Sequence, residues 1–340
     1  MVILQEVKVS VCISIYNGEQ FIRNCLDSVV CQTLKEIEIV LVNNGSTDLS
    51  LEIMNEYKKK YPNIIRVYSQ EDKGLAQGRQ TGIDNARGQF VAFLDADDFV
   101  SKDAYEKMYD SAVKHNVDIV ECMTLRDNKI IHSKYEGVKR TSEILKDYFL
   151  KGDMPSMIWL RLYNRSLFVN PVMPNMYVNN EDIFAFPCLL HIAKNIYYLK
   201  EQLHNYSIDN EHSVMIEVKN KKINEEKIIK NRIKTLHVVN HIRNFIGIKY
   251  IDKNYSKEFN AFTARTVLNF CMNEFKSLSV DDSIKIASEK TEINLNVLNS
   301  TFKKLKHYNK FIQKSVNYLG FKKTVFLYRT TKGLFSSLKG

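Results

Sequence analysis

Phe93-Leu-Asp-Ala-Asp-Asp98 sets three carboxylates directly after an apolar run. Carboxylates this close repel one another unless a cation joins them. Hard oxygen donors suit Mg²⁺ or Mn²⁺, which often take one or two ligands from protein and the rest from phosphate and water. The cluster therefore points to a divalent ion held against a diphosphate; taken alone, it equally fits a solvated loop with Asp98 at the start of a helix. A second acidic pair stands in Asn180-Glu-Asp182, before an apolar segment. One of these carboxylates could take a proton from a hydroxyl nucleophile, or both could simply favour a helix N-terminus, where the backbone dipole welcomes negative charge. Three more polar stretches follow apolar runs: Ser14-Ile-Tyr-Asn-Gly18, Asn43-Asn-Gly-Ser-Thr-Asp48 and Asp72-Lys-Gly-Leu-Ala-Gln-Gly-Arg79.

The elements that must position these residues alternate between two periods. Apolar, β-branched runs at 8–15, 36–42, 64–68, 90–94 and 118–125 read as strands. Between them, 20–30, 49–57, 74–86 and 103–115 carry apolar residues at helical spacing. Strand and helix in alternation predict an α/β fold, a mostly parallel sheet covered on both faces, with ligands at the carboxyl ends of the strands. The next stretch is less regular: a short strand at 129–133, a helix at 142–150 with Ser142 as N-cap signal, a helix at 181–193, and strands at 195–199 and 203–208. Beyond 216 the chain reads as helical, with Ile229, Ile233, Leu236, Val239, Ile242 and Ile246 in one apolar stripe. The expected organisation is an α/β domain over 1–215, with a regular part (1–125) and a less regular part (126–215), a helical annex over 216–300 and a tail over 301–340.

The 340 residues carry a net charge of +10, distributed unevenly. The last 40 hold ten Lys and Arg and no Asp or Glu, so the first 300 are balanced at 39 of each sign. The excess is a basic tail rather than a basic cleft, and nucleic acid is not expected as a partner. In the tail Leu305, Tyr308, Ile312, Val316 and Leu319 share one helical face, and Lys303, Lys306, Lys310 and Lys314 another. Such a segment, 303–332, can lie on an anionic membrane surface, each Lys or Arg contributing roughly 1 kcal/mol; packing on the body with a solvated lysine face is the alternative. There is no run of about 18 apolar residues and no visible secretory signal. The six cysteines lack CxxC spacing and read as reduced thiols, which together predicts a cytoplasmic protein. His237 and His241 are four apart but lack a third metal ligand nearby and read as ordinary helix residues. Gly74, Gly78 and Gly82 do not form GxGxxG and no Walker A lysine is present, against dinucleotide oxidoreductases and P-loop NTPases.

Five segments in order resemble the inverting glycosyltransferases of family 2, with the GT-A fold. They are VSVCISIYNGEQFIRNCLDSVVCQT, EIEIVLVNNGSTD, KGLAQGRQTGIDNARGQFVAFLDADD, WLRLYNRSLF and NEDIFAFPCLL, spread from Val9 to about Met215. The resemblance implies a GT-A nucleotide-diphospho-sugar transferase fold with a C-terminal helical region, and roles for the matching positions. Ser14 and Asn44 would lie at the nucleotide base with Arg79 nearby, and Asp95 at the ribose and metal region. Asp97 would be the principal ligand of Mn²⁺ or Mg²⁺ on the diphosphate. Asp182 would be the base that deprotonates the acceptor hydroxyl, supported by Glu181, with Trp159 and Arg161 on the acceptor or diphosphate side. His212, after the last motif, could reach the diphosphate or metal, or be a surface histidine. The family usually has Asp where Asn44 stands; Asn offers a carbonyl to the uracil imide N–H but loses charge assistance, on the order of 1 kcal/mol. Gln80 also replaces the usual Asn.

These implications amount to an enzyme that moves a hexose or N-acetylhexosamine from a UDP-sugar to a glycan acceptor. The basic tail suggests a lipid-linked acceptor in bacterial surface-polysaccharide synthesis and a peripheral position at the inner face of the plasma membrane. The rivals are a nucleotidyltransferase that makes NDP-sugars, whose glycine- and arginine-rich phosphate loop Ser14-Ile-Tyr-Asn-Gly18 does not match, and a silent sugar-nucleotide or membrane-binding module.

Overall fold

The computed structural model describes residues 6–151, 154–174, 181–207, 236–237, 239–246, 258–259, 262–263, 266–267, 280–291 and 325. His212 and the basic segment 303–332, apart from residue 325, lie outside the described residues. Contacts divide the chain into two compact units, Met1–Ser142 with Pro155–Glu217, and Glu143–Met154 with Val218–Gly340.

The first unit opens with β1 (Val9–Ile15), α1 (Ile22–Val30), β2 (Ile37–Asn44), α2 (Ser50–Lys60), β3 (Ile65–Gln70), α3 (Leu75–Asn85) and β4 (Phe90–Phe93). Then come β5 (Phe99–Val100), α4 (Ala104–His115), β6 (Ile119–Arg126), β7 (Lys129–Ile131), β8 (Gly137–Arg140) and the start of α5 (Thr141–Lys151), whose residues from Glu143 onward belong to the second unit. A 3-10 turn at Ile158–Leu160 leads into β9 (Arg161–Asn164), and α6 (Asp182–Ile192) and β10 (Asn195–Asn205) close the unit. The sheet order is β3-β2-β1-β4-β9-β6-β10-β5, with β7 on β6 and β8 on β10. Across β3-β2-β1-β4 every pair is parallel, and β6 is parallel to β10. β9 lies antiparallel between β4 and β6.

Alternation along each strand divides the side chains between two faces. Val9, Val11, Ile13 and Ile15 of β1 join Ile39 and Leu41 of β2 in a core closed by Ile22 and Leu26 of α1, Met54 of α2 and Met108 of α4. On the other face Ser10, Cys12 and Ser14 are small, and α3 packs there on β1 and β2. Contact is close because the helix presents glycine: a Cβ at Gly82 would lie 2.9 Å from Cys12 Cβ, and one at Gly78 would lie 2.0 Å from Ser14 Oγ. The four-residue spacing of Gly74, Gly78 and Gly82 thus includes two close-packing positions.

Several boundaries differ from the sequence expectation. Ser142 is inside α5, whose first residue is Thr141; the Thr141 N–H bonds Lys194 O at 3.0 Å, which starts the helix one residue earlier. The expected strands 195–199 and 203–208 are one strand, β10, whose pairing with β6 shifts register between Tyr198 and Gln202 and again before His204. Lys200-Glu201-Gln202 interrupts the apolar pattern where the strand is irregular. The short strands β5, of two residues, and β8 and β9, of four each, lacked a periodic signal of sufficient length.

In the second unit Tyr148 and Phe149 of α5 pack on Phe262, and Phe149 also meets Phe259 edge-on at 5.3 Å. Leu236, Val239 and Ile242 of the expected stripe are buried, and His241 packs against Phe245. Val280–Thr291 is a further helix. No helix among the described residues is long and apolar enough to cross a membrane.

Candidate active site

β4 ends at Phe93, opposite Cys12 of β1, and Leu94 N still bonds Cys12 O at 3.2 Å. The chain then turns, Asp98 N donating to Asp95 O at 3.0 Å. This turn separates the three carboxylates by environment: Asp95 and Asp97 are partly exposed, whereas Asp98 is fully buried. Asp98 Oδ1 accepts from Ser207 N at 2.9 Å and Oδ2 lies 3.3 Å from His204 Nε2. Asp98 is therefore neither a helix start, since α4 begins at Ala104, nor turned toward solvent. Burial and the neighbouring Asp95 push its carboxyl up to about 8. His204, which meets Thr124 Oγ1 through Nδ1 at 2.9 Å, is pushed down to about 3 by burial.

Arg79, on the first turns of α3, is 3% exposed and joins three carboxylates. Its Nη2 donates to Asp95 Oδ1 at 2.6 Å. Its Nη1 donates to Asp182 Oδ1 at 3.0 Å and to Glu181 Oε1. Asp182 is the first residue of α6 and Glu181 precedes it. One guanidinium thus connects the end of β4 to the start of α6, and faces an excess of carboxylate. Burial raises the Glu181 and Asp182 carboxyls; Glu181 raises Asp182 further as a like charge, and Asp95 raises both, while Arg79 lowers both, a hydrogen bond with Asp182 lowers Glu181 and a backbone hydrogen bond from Ile158 lowers Asp182.

Trp159 stacks on His204 with ring centroids 4.3 Å apart, and on Tyr206 at 5.7 Å, so it stands beside Asp98. Arg126 lies over the Tyr206 ring. Arg161 is not at the site. As the first residue of β9 it alternates with Leu162 and points into the core, 1% exposed. Its Nε bonds Glu121 Oε2 at 2.7 Å, its other nitrogens bond Met157 O and Pro155 O, and its plane lies on Phe186. A buried guanidinium with its donors so committed is a structural ion pair rather than a ligand for an acceptor.

At the other end of the sheet edge, Ser14, Asn44 and Gly78 meet: a Cβ at Gly78 would lie 3.6 Å from Asn44 Cγ. Asn44 is buried, donating to Asp72 Oδ1 at 3.1 Å and accepting from Gln70 Nε2 at 2.7 Å. Most remaining polar residues of the first two loops fasten the loops to each other. Asn17 N donates to Ser46 Oγ, Gly18 N to Ser50 Oγ, Glu19 N to Asp48 Oδ2, Thr47 N to Asn17 Oδ1 and Leu49 N to Glu19 Oε2. Sequence reasoning missed His204, Tyr206 and Asp72 as site neighbours; His204 is a single residue on an irregular strand and Tyr206 follows its end, with no motif around them.

Among the described residues no three His, Cys, Asp or Glu side chains converge to hold an ion. The protein's own share would be Asp95 and Asp97, hard oxygen donors that are both partly exposed. That set fits Mg²⁺ or Mn²⁺ completed by phosphate and water oxygens.

Residues 10–168 match the family model described as glycosyl transferase family 2. The chain is 32% identical over 214 residues to the glycosyltransferase GlyA of Streptococcus pneumoniae, covering 59% of this chain and 30% of GlyA. It is 37% identical over 115 residues to the poly(ribitol-phosphate) beta-glucosyltransferase of Bacillus spizizenii, covering 33% of this chain and 18% of that protein. The chain therefore spans less than a third of the length of either relative. In fold it is similar to residues 1–349 of S. aureus TarS, solved in complex with UDP-GlcNAc, with a TM-score of 0.64 at 18% identity, covering 97% of this chain and 92% of that one. The acidic turn at the end of β4, the ordered motifs and the family model agree that residues 10–168 carry a glycosyl transferase family 2 domain, and the likeness to TarS agrees with a GT-A fold.

Proposed function

We propose that the protein transfers a hexose or N-acetylhexosamine from a UDP-sugar to a glycan acceptor, with inversion at the anomeric carbon and Asp182 as the base. The observation that carries this reading is Arg79, which holds donor-side Asp95 and the pair Glu181–Asp182 on one guanidinium. Displacement at an anomeric carbon needs a deprotonated hydroxyl on one face and a stabilised diphosphate on the other. Asp182 takes the acceptor's proton at a carboxylate oxygen, a contribution of about 10²–10⁴-fold. Its raised pKa makes it a stronger base than a solvent-exposed carboxylate. Glu181 and Arg79 hold its orientation. Asp97, with Asp95, would hold Mn²⁺ or Mg²⁺, which when bound offsets the charge developing on the leaving diphosphate.

One relative is by name a poly(ribitol-phosphate) beta-glucosyltransferase, and TarS has been solved with UDP-GlcNAc. Both favour a nucleotide-sugar donor and a polymeric acceptor for this chain. The segment 303–332 would hold the enzyme against an anionic membrane on its cytoplasmic side, near a lipid-linked acceptor. The test is UDP release from a panel of UDP-sugars with Mn²⁺ and acceptor, for wild type and Asp182→Asn. Release by wild type, at least a hundredfold lower in the variant with donor binding retained, is expected. No release with any donor would leave a nucleotide-binding module in place of an enzyme.

A further inference from the structure

Gln70 and Asn44 are partners in register across β3 and β2, and their side chains belong to a one-way chain of hydrogen bonds. Thr81 Oγ1 donates to Gln70 Oε1 at 2.6 Å, Gln70 Nε2 donates to Asn44 Oδ1 at 2.7 Å, and Asn44 Nδ2 donates to Asp72 Oδ1 at 3.1 Å. Gly74 N donates to the same Asp72 oxygen at 2.9 Å. The carboxylate at the end of the chain accepts and cannot donate, which fixes both amides: a flipped Asn44 would turn its carbonyl against Asp72. The Asn44 carbonyl is thereby engaged by Gln70, on a side chain that is 2% exposed. Asp72 is exposed, and its Oδ2 has no hydrogen bond among the described residues.

We propose that Asp72 reads the nucleobase, with Asn44 as its positioning residue, so that the carboxylate absent from the end of β2 is supplied from the loop between β3 and α3. The proposal rests on the nucleotide-sugar reading of this site. Asp72 stands beside the wall formed by Ser14, Asn44 and Gly78: a Cβ built on Gly45 would lie 3.2 Å from Asp72 Cβ. A carboxylate oxygen that can only accept selects a base edge presenting N–H. The uracil imide does so; cytosine presents a bare ring nitrogen at the same position, and two lone pairs would face each other. The site therefore selects uridine over cytidine diphosphates through Asp72.

Calorimetric titration of the full chain with UDP and with CDP, each with Mn²⁺, tests this. Wild type should bind UDP at least tenfold more tightly than CDP. Asp72→Asn can donate as well as accept, so it should lose about tenfold in UDP affinity, the share of a charge-assisted hydrogen bond, without losing CDP affinity. The exchange Asn44→Asp with Asp72→Asn returns a carboxylate to the pair and should restore the preference. An unchanged UDP-to-CDP ratio in Asp72→Asn, whether both affinities stay or fall together as a damaged loop would make them, overturns the role of Asp72 while leaving the donor reading intact. A wild type that binds neither nucleotide, or prefers CDP, overturns the uridine donor itself and this proposal with it.

Discussion

Replacing Arg79 by methionine keeps most of the buried volume and removes the charge that Asp95, Glu181 and Asp182 share. The side chain is 3% exposed, and Glu181 and Asp182 are also poorly exposed, at 5% and 16%. Breaking a buried ion pair from one side costs about 3–5 kcal/mol, because the other side is left charged in a poor solvent. At about 2–4 °C per kcal/mol for a unit of 150–250 residues, the thermal midpoint should fall by roughly 6–20 °C. The loss has a definite pH dependence. Arg79 lowers the Glu181 and Asp182 carboxyls, which burial otherwise raises. Without it their folded-state pKa values rise further above the unfolded values, so the folded variant holds protons that the unfolded chain has released. Stability then falls as pH rises through that window. The deficit relative to wild type should be small at about pH 3, below the ordinary carboxyl values, where both carboxyls are largely protonated folded and unfolded, and largest above about pH 8. Thermal unfolding of both proteins across this range reads it directly. Arg79→Lys should recover part of the alkaline loss, since one ammonium restores the charge without the fork that reaches both Asp95 and Asp182. A deficit of equal size at every pH would refute the reasoning, because it would mean lost packing rather than an unbalanced charge.

Three further outcomes follow from the same geometry. With Asp182 pushed up to about 8, the transfer rate should rise with pH along a limb near that value, since only the ionised form takes a proton; a plateau already reached at about pH 5 would exclude Asp182 as the base. Arg161→Met should lower the thermal midpoint by an amount equivalent to about 3–5 kcal/mol by stranding Glu121, with KM for donor and acceptor unchanged; a variant of wild-type stability with weakened acceptor binding would return Arg161 to the site. Gly78→Ala should destabilise by about 1–3 kcal/mol through its contact with Ser14, and Ser14→Ala in the same chain should relieve part of this in thermal unfolding, whereas additive losses would contradict the close packing.

Apart from the two-residue β5, the strands and helices up to β6 were legible because each is long enough to show its period and each is bounded by polar loops. The acidic turn was legible as chemistry because three carboxylates in four residues leave few alternatives. Asp98 shows the limit: it shares the motif but not its environment, and its burial depends on Ser207 and His204, more than a hundred residues away along the chain. Arg161 stands inside an ordered motif, yet strand alternation sends it inward to Glu121, a partner whose position in β6 gave no hint of pairing. Gly78 and Gly82 were tested as a phosphate loop and are two of the glycines that let α3 approach β1; the informative pattern was their four-residue period against the alternate small residues Cys12 and Ser14.

The polar loops at the sheet edge divide by charge into two kinds of work. In the loops after β1 and β2, hydroxyls, amides and single carboxylates bond backbone N–H groups of the neighbouring loop; their hydrogen-bonding capacity is met inside the protein and they need no ligand. At the end of β4 and the start of α6, among the described residues, one guanidinium is shared by the carboxylates of Asp95, Glu181 and Asp182. Buried charge without full compensation is costly, and the proposed reaction would supply the balance through a proton on Asp182 or a cation brought with the donor. The arrangement that would be poor for stability alone is the one a proton-accepting, diphosphate-releasing site needs. The same test distinguishes Asp72, an exposed carboxylate with one oxygen held and one open, from Asp48, whose two oxygens are both bonded to the backbone.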